Sequence, residues 1–269
     1  MDKIVASGVV KQFTVDRTGQ VVVALEQMDL RVRDREFLCI VGPSGCGKST
    51  FLQLVAGLEP LTRGSILMDG REISGPGADR GMVFQSHALF PWRTVLENIE
   101  FGLEVKRMPR RDRRQLATRY ARMVGLHGFE HSFPSELSGG MRQRVGIARA
   151  LANEPEVLLM DEPFGSLDAQ TRELMQQDIL DIWRATGRTI IFVTHSVQEA
   201  VFLGDRIAVM TARPGRIKAM IDVDLPHPRD VTSADFGRLM RPVYGVLKEE
   251  VLKTLDGSRG LTAELLEAR

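Results

Sequence analysis

Phe37-Leu-Cys-Ile-Val41-Gly42-Pro-Ser-Gly-Cys-Gly47-Lys48-Ser49-Thr50-Phe51-Leu52-Gln-Leu54-Val55-Ala-Gly57 is the stretch whose reading decides the fold. Phe37 to Val41 is an apolar run of strand length. Gly42 to Gly47 break it, and a helix is expected from about Lys48, with Phe51, Leu52, Leu54 and Val55 apolar until Gly57 stops it. A strand, a loop and a helix in this order form a unit of an α/β domain. Gly42, Pro43, Ser44, Gly45, Cys46, Gly47, Lys48, Ser49 and Thr50 also satisfy G-x-x-x-x-G-K-[ST] in the strand-to-helix context that gives the pattern meaning. Glycines let consecutive N–H groups curl around a β-phosphate, and the helix N-terminus adds partial positive charge. Lys48 would bridge β- and γ-phosphates and Ser49 would ligate Mg²⁺, so a nucleoside triphosphate and Mg²⁺ are the expected ligands, as in any P-loop NTPase, kinases and GTPases included. Cys46 reads first as a small filler, although a helix N-terminus lowers thiol pKa.

Working outward, Ile4 to Val10 and Val21 to Val32 read as β, the latter with the alternation Leu25, Met28, Leu30, Val32. Downstream the β pattern returns at Val157 to Met160, Ile190 to Val193 and Ile207 to Met210, with a helix from about Thr171 to Ala185 between the first two. A parallel sheet interrupted by helices fits. Residues 86–152 lose strand patterns. Leu116, Tyr120, Met123 and Val124 share a helical face, as do Met141, Val145, Ala148 and Leu151, so an inserted helical subdomain is expected. Pro226, Pro228 and Arg229 mark a linker. Phe236, Leu239, Met240, Val243, Leu247, Val251 and Leu255 then outline an amphipathic tail whose helix Pro242 starts or kinks.

Composition narrows the classes further. A chain of 269 residues with 43% hydrophobic content can bury one or two ordinary cores. Lys+Arg 36 against Asp+Glu 35 leaves +1, which argues against a protein whose main work is neutralising a phosphate backbone. The basic run Lys106, Arg107, Arg110, Arg111, Arg113, Arg114 lacks the interleaved aromatics that base stacking requires and reads as a solvated helix face, so no nucleic-acid partner is expected. Cys39 and Cys46 have no framework spacing and suit a reducing compartment. The start Met1-Asp2-Lys3-Ile4 leads into an apolar run too short for an export signal, and no window approaches a spanning helix.

Two further stretches carry chemistry. The apolar run Val157-Leu-Leu-Met160 ends in Asp161-Glu162. A buried strand delivering two acids to its C-terminal edge would place Asp161 on the metal and Glu162 beside the attacking water as general base. Leu137-Ser138-Gly139-Gly140-Met141, followed by a helix, forms a second anion-binding N-terminus, with a hydroxyl and free N–H groups aimed outward. One nucleotide loop has no internal use for another.

With these residues in hand, the chain resembles the ATP-binding subunit of an ABC transporter, in which the second loop closes over ATP held by the other subunit of a head-to-tail dimer. The resemblance implies an α/β P-loop ATPase fold with an N-terminal antiparallel β region and the helical insertion. It divides the chain into 1–85 (first part of the ATPase core), 86–152 (helical subdomain), 153–225 (second part of the core) and 226–269 (helical tail). It also implies roles by position. Gln85 would touch Mg²⁺ and the water, Asp168 of Ser166-Leu-Asp168 would lie at the dimer seam, His195 would hydrogen-bond the γ-phosphate, and Phe13 would stack on adenine. Two departures stand out: Met141 where the commonest motif has Gln, and Arg35 where a turn Gly usually precedes Glu36.

Within the family, Gln85-Ser-His-Ala-Leu-Phe-Pro-Trp92, Leu137 to Leu151, Asp161-Glu-Pro-Phe-Gly165 and Ala212-Arg-Pro-Gly-Arg216 are similar to importer ATPases for nitrate, alkanesulfonates and taurine. The likeness covers about residues 1–225. It implies a second ATP-binding subunit, a homodimer of this chain being the simplest case, separate integral-membrane permease subunits, indirectly a solute-binding protein, and a peripheral place on the cytoplasmic face of the bacterial inner membrane. Leu89, Phe90, Pro91 and Trp92 are expected to line the groove that receives a cytoplasmic helix of the permease. The rival class, a non-transport ABC ATPase acting on DNA or ribosomes, would bring a long coiled coil or two cassettes, and each motif here occurs once.

Overall fold

In a computed structural model the chain is described over residues 1–86 and 88–267, with only the backbone described from 255 onward, so His87 and the Leu255 side chain lie outside the described residues. The chain folds as two compact units, one of residues 1–75 with 193–269 and one of residues 76–192.

The first unit opens with β1 (Asp2–Thr14) and β2 (Val21–Arg33), an antiparallel pair with Ala6 opposite Leu30 and Phe13 opposite Val22. After β3 (Phe37–Val41) and α1 (Lys48–Ala56), the chain adds β4 (Arg63–Met68) and the short β5 (Arg71–Glu72), giving a four-stranded antiparallel sheet in the order β2-β1-β4-β5. The turn into β3 explains the preference for glycine before Glu36. Arg35 has φ of 60°, a left-handed conformation that costs an ordinary residue about 1 kcal/mol. Glu36 closes the turn, its carboxylate accepting from the Arg33 N–H at 2.6 Å and from Arg206 at 3.0 Å.

The second unit begins with β6 (Arg80–Val83), then α2 (Val95–Val105), α3 (Arg110–Met123), a single 3-10 turn (Pro134–Glu136) and α4 (Gly139–Ala152). The three helices pack on one another. β7 (Val157–Asp161), α5 (Ala169–Thr186) and β8 (Thr189–Thr194) follow, with β7 parallel to β6 and every residue of β7 buried. The face of α3 departs from expectation. Ala117, Tyr120, Ala121 and Val124 are buried, whereas Met123 is exposed and Leu116 only half-buried, because two small residues let α3 sit close to its neighbours. From the basic run, Arg113 and Arg114 both pair with the buried Glu100.

The chain returns to the first unit within β8 and forms α6 (Val197–Leu203), β9 (Arg206–Met210), β10 (Ile217–Asp222) and α7 (Ala234–Glu267). β9 is parallel to β3 and antiparallel to β10, a strand with no apolar run to announce it. Pro242 does not start the last helix; α7 begins eight residues earlier and runs through it. Arg229 is no loose linker residue. It is buried, and its guanidinium donates to the carbonyls of Val201 and Gly204 at the end of α6, both at 2.7 Å, and to that of Leu225 at 2.9 Å. Among the described residues no helix is long and apolar enough to cross a membrane.

Replacing Arg229 with methionine would leave those buried carbonyls without donors. Arg229→Met is expected to lower the unfolding free energy by about 3 kcal/mol, measured by chemical denaturation, whereas a linker residue would give no change.

Candidate functional site

In the first unit the loop between β3 and α1 curls around its own lysine. Gly45 and Gly47 take φ of 75° and 102°, values that side chains rarely allow. Lys48 is buried, and its ammonium donates to the carbonyls of Gly42 at 2.9 Å and Pro43 at 3.1 Å, with the Cys46 sulfur 4.0 Å away. Cys46 is itself buried, as a filler would be. α1 opens on Gly47 without a side-chain cap and without an acid in its first turn. A cation at the positive end of a helix is locally unfavourable, and a bound anion relieves it. Ser44, Gly45 and Ser49 are exposed along this loop.

Phe13 lies near the end of β1 and is 37% exposed, so it is not a core ring. The Lys11 ammonium sits 4.6 Å from its centroid and is anchored by Glu59 and the Pro60 carbonyl, both at 2.9 Å. His195 is exposed directly after β8. Its neighbours hold it from both sides. The Thr194 hydroxyl donates to Glu199 at 2.5 Å and accepts the Ser196 N–H at 3.0 Å, while Ser196 caps α6 by accepting the Glu199 N–H at 3.2 Å. These residues escaped sequence reasoning, although Ser196-x-x-Glu199 before an apolar run has the spacing of a helix start.

In the second unit the parallel register decides which residues meet. Val83 lies opposite Met160, so Phe84-Gln85 after β6 and Asp161-Glu162 at the end of β7 emerge side by side. Asp161 is buried as the last residue of β7, and Glu162 turns the chain with φ of 42°. The Gly165 N–H donates to the Glu162 carbonyl at 3.1 Å. A methyl group on Gly165 would lie 4.0 Å from both the Gln85 amide nitrogen and a Glu162 carboxylate oxygen, so these two side chains converge on one small gap.

A second cluster forms where α4 and α5 begin. Ser138 caps α4 by accepting the Met141 N–H at 3.3 Å, which leaves the hydroxyl proton to donate elsewhere. Asp168 caps α5, accepting from the Thr171 N–H at 3.0 Å and its hydroxyl at 2.8 Å, and these bonds hold its carboxyl below the usual range. A side chain at Gly140 would come within 2.7 Å of the Thr171 methyl, so Gly140 and Asp168 meet at Thr171. Gly139 is half-buried beside them.

Phe90 packs against Phe101 and Trp92 with tilted rings, centroids 4.6 and 5.8 Å apart, and Trp92 is 71% exposed rather than buried among the helices. Phe90, Phe101, Met82, Phe84, Val105 and Arg149 line a cavity of about 570 Å³. Asn98, fully buried on α2, pins the segment. Its amide accepts the Phe90 N–H at 2.9 Å and donates to the carbonyls of Phe90, Arg93 and Thr94 at 3.2, 2.9 and 3.0 Å.

Among the described residues no group of three or more His, Cys, Asp or Glu could cage a metal. In the second unit the Asp161 carboxylate and the Gln85 amide stand at the ends of paired strands and offer oxygen donors. Oxygen donors of this kind suit a hard ion such as Mg²⁺.

Residues 25–165 match the family described as ABC transporter. An uncharacterized ABC transporter ATP-binding protein of Methanocaldococcus jannaschii is 55% identical over 88% of this chain and 89% of its own length. A taurine import ATP-binding protein of Rhizobium johnstonii is 46% identical over 93% and 95%, and a nitrate import ATP-binding protein of Synechocystis is 46% identical over 88% and 89%. Among solved structures, a dimeric ATP-binding cassette in a post-hydrolysis state with ADP and phosphate is 32% identical, with a TM-score of 0.73 over 83% of this chain and 100% of that one.

Thr194→Val keeps the shape of the side chain and removes both hydrogen bonds beside His195. It is expected to cost about 2 kcal/mol of stability, since Glu199 is buried and loses a donor; an unchanged denaturation midpoint would show that the clamp contributes nothing.

Proposed function

We infer the function of this chain from the family to which it belongs, the ABC transporters: we propose that it hydrolyses ATP to power import of a small anionic solute, of the nitrate, alkanesulfonate or taurine type. The import names of the relatives support the solute class. One observation carries the motor reading. The chain holds a phosphate loop at Gly42–Thr50 and also a second helix N-terminus at Ser138–Gly140, which a single nucleotide loop does not need.

In this reading two copies of the chain hold two ATP molecules. The loop N–H groups and Lys48 bind the β- and γ-phosphates, Phe13 stacks on adenine, and Ser138, Gly139 and Gly140 of the other copy close over the γ-phosphate, with Asp168 at the seam. Ser49, Asp161 and Gln85 hold Mg²⁺, which when bound neutralises charge on the phosphates. Glu162 takes the proton of the attacking water while the Gln85 amide orients that water, a division of labour supported by their convergence at Gly165. His195 donates to the γ-phosphate, and the clamp on Thr194 and Ser196 limits its freedom. Residues 86–152, with α2, α3 and α4, form the helical subdomain that carries Ser138. The groove beside Phe90 and the exposed Trp92 receives a cytoplasmic helix of a separate permease, which holds the subunit at the cytoplasmic face of the membrane. Binding of ATP closes the dimer and hydrolysis reopens it.

Glu162→Gln removes the base and keeps the shape, so the variant is expected to accumulate as an ATP-bound dimer with little turnover. Light scattering in ATP and Mg²⁺ reads this directly, and a monomer would contradict the mechanism. In a complex reconstituted with its permease and binding protein, ATPase stimulation by nitrate, alkanesulfonates or taurine identifies the solute, and no response to any of them rejects the class. In that complex Trp92→Ala should reduce transport more than basal ATPase; equal loss of both would count against the groove.

A further inference from the structure

The turn after β9, Thr211 to Arg216, touches the phosphate loop at two places. Arg213 Nε donates to the Gly45 carbonyl at 3.2 Å. Gly215 lies so close to the Cys46 carbonyl that any side chain there would run into it. The turn is rigid in itself, because the Thr211 hydroxyl donates to the Pro214 carbonyl at 2.8 Å and accepts the Arg216 N–H at 3.0 Å. Gly215 is also fixed to β2, donating to the Ala24 carbonyl at 2.9 Å and accepting the Glu26 N–H at 3.1 Å.

α7 holds the turn from another side. Phe236, Val243 and Glu250 are buried at intervals of seven residues along this helix, so a carboxylate occupies a core position. Glu250 is 1% exposed. It accepts the Ala212 N–H at 2.9 Å and the ammonium groups of Lys218 and Lys253, both at 2.7 Å. Burial pushes its carboxyl up, but these bonds outweigh burial and draw it down to about 2, so it is ionised at neutral pH. Ser44, Gly45, Arg213 and Glu250 line one cavity of about 640 Å³.

We propose that the Thr211–Arg216 turn is a buttress for the phosphate loop, keyed by Glu250, and that Arg213 and Glu250 are positioning residues for ATP binding. The peptide plane gives the reason. Holding the carbonyls of Gly45 and Cys46 from outside fixes the planes that carry the N–H groups of Gly47 and of Cys46, the latter donating to the Pro43 carbonyl at 3.3 Å, and so fixes the shape of the loop read as the phosphate cradle. Glu250 acts through the Ala212 N–H, one residue from Arg213. The inference rests on reading Gly42–Thr50 as the ATP loop.

The test measures ATP·Mg²⁺ affinity by calorimetry and the unfolding midpoint on the full chain. Arg213→Ala is expected to weaken affinity by about three- to tenfold, the scale of one or two hydrogen bonds, with little change in midpoint. Glu250→Ala should weaken it at least as much, and adding Arg213→Ala to Glu250→Ala should cost less than about twofold more if both act through the turn. Glu250→Gln keeps an acceptor for the Ala212 N–H and should bind ATP within about twofold of the parent, even where its midpoint falls. Unchanged affinity in Glu250→Ala with a lowered midpoint would make Glu250 a purely structural residue. Effects that multiply in the double variant, or a Glu250→Gln as weak as Glu250→Ala, would equally overturn the proposal. A parent chain that binds no ATP would instead bring down the reading of the loop itself.

Discussion

Every α-helix begins with N–H groups that have no partner inside the helix, and the way each start is handled organises this protein. Thr94, Ser138, Asp168 and Ser196 cap α2, α4, α5 and α6 with side-chain oxygens. α1 has no such cap and no acid in its first turn, and its first residue is a buried lysine. Taken alone this is a local conflict, since a cation is placed where the helix dipole is positive. A phosphate group that accepted from the loop and paired with Lys48 would resolve it. The conflict is the kind that marks a functional site in an otherwise self-consistent sequence.

The second constraint is the parallel pairing of β6 and β7. Parallel strands present their C-terminal ends on the same edge of a sheet, so residues nearly eighty positions apart emerge together. One step of register would move Gln85 away from Glu162 and turn alternate side chains to the other face. Complete burial of β7 fixes that register, because no apolar residue of the strand can be moved without loss. Chemistry at the strand end therefore depends on packing along the strand.

These features differ in how far the sequence discloses them. The strand, loop and helix of residues 37–57 were legible because apolar run, glycine break and stop lie within one short stretch, and β3 and α1 follow that reading closely. β10 and β5 were not, since neither carries a buried run; they owe their existence to pairing with β9 and β4. Arg229 looked like linker chemistry because its partners, the carbonyls at the end of α6, are more than twenty residues away in sequence. Met123 followed the periodicity of α3 and is nonetheless exposed, since the close approach is made by Ala117 and Ala121. The roles expected of Gln85, Asp168 and His195 rest on family resemblance alone, since single polar residues have no pattern of their own; the structure describes their setting.

Asn98, Arg229 and Glu250 share one physical logic. Each is a polar side chain buried against a helix, and each spends its hydrogen bonds on the backbone of an irregular segment: Phe90–Thr94, the end of α6, and Ala212. In net terms such bonds add only about 1 kcal/mol apiece, so a well-packed apolar residue could match them for stability. What an apolar residue cannot supply is direction. A loop has no ladder to fix its peptide planes, and a buried donor or acceptor holds them because leaving that group unpaired costs more than the bond itself contributes. Irregular segments at residues 90–94 and 211–216 thereby have their peptide planes held by buried partners. The net charge of +1 conceals this arrangement, since the groups concerned meet backbone dipoles as often as opposite charges.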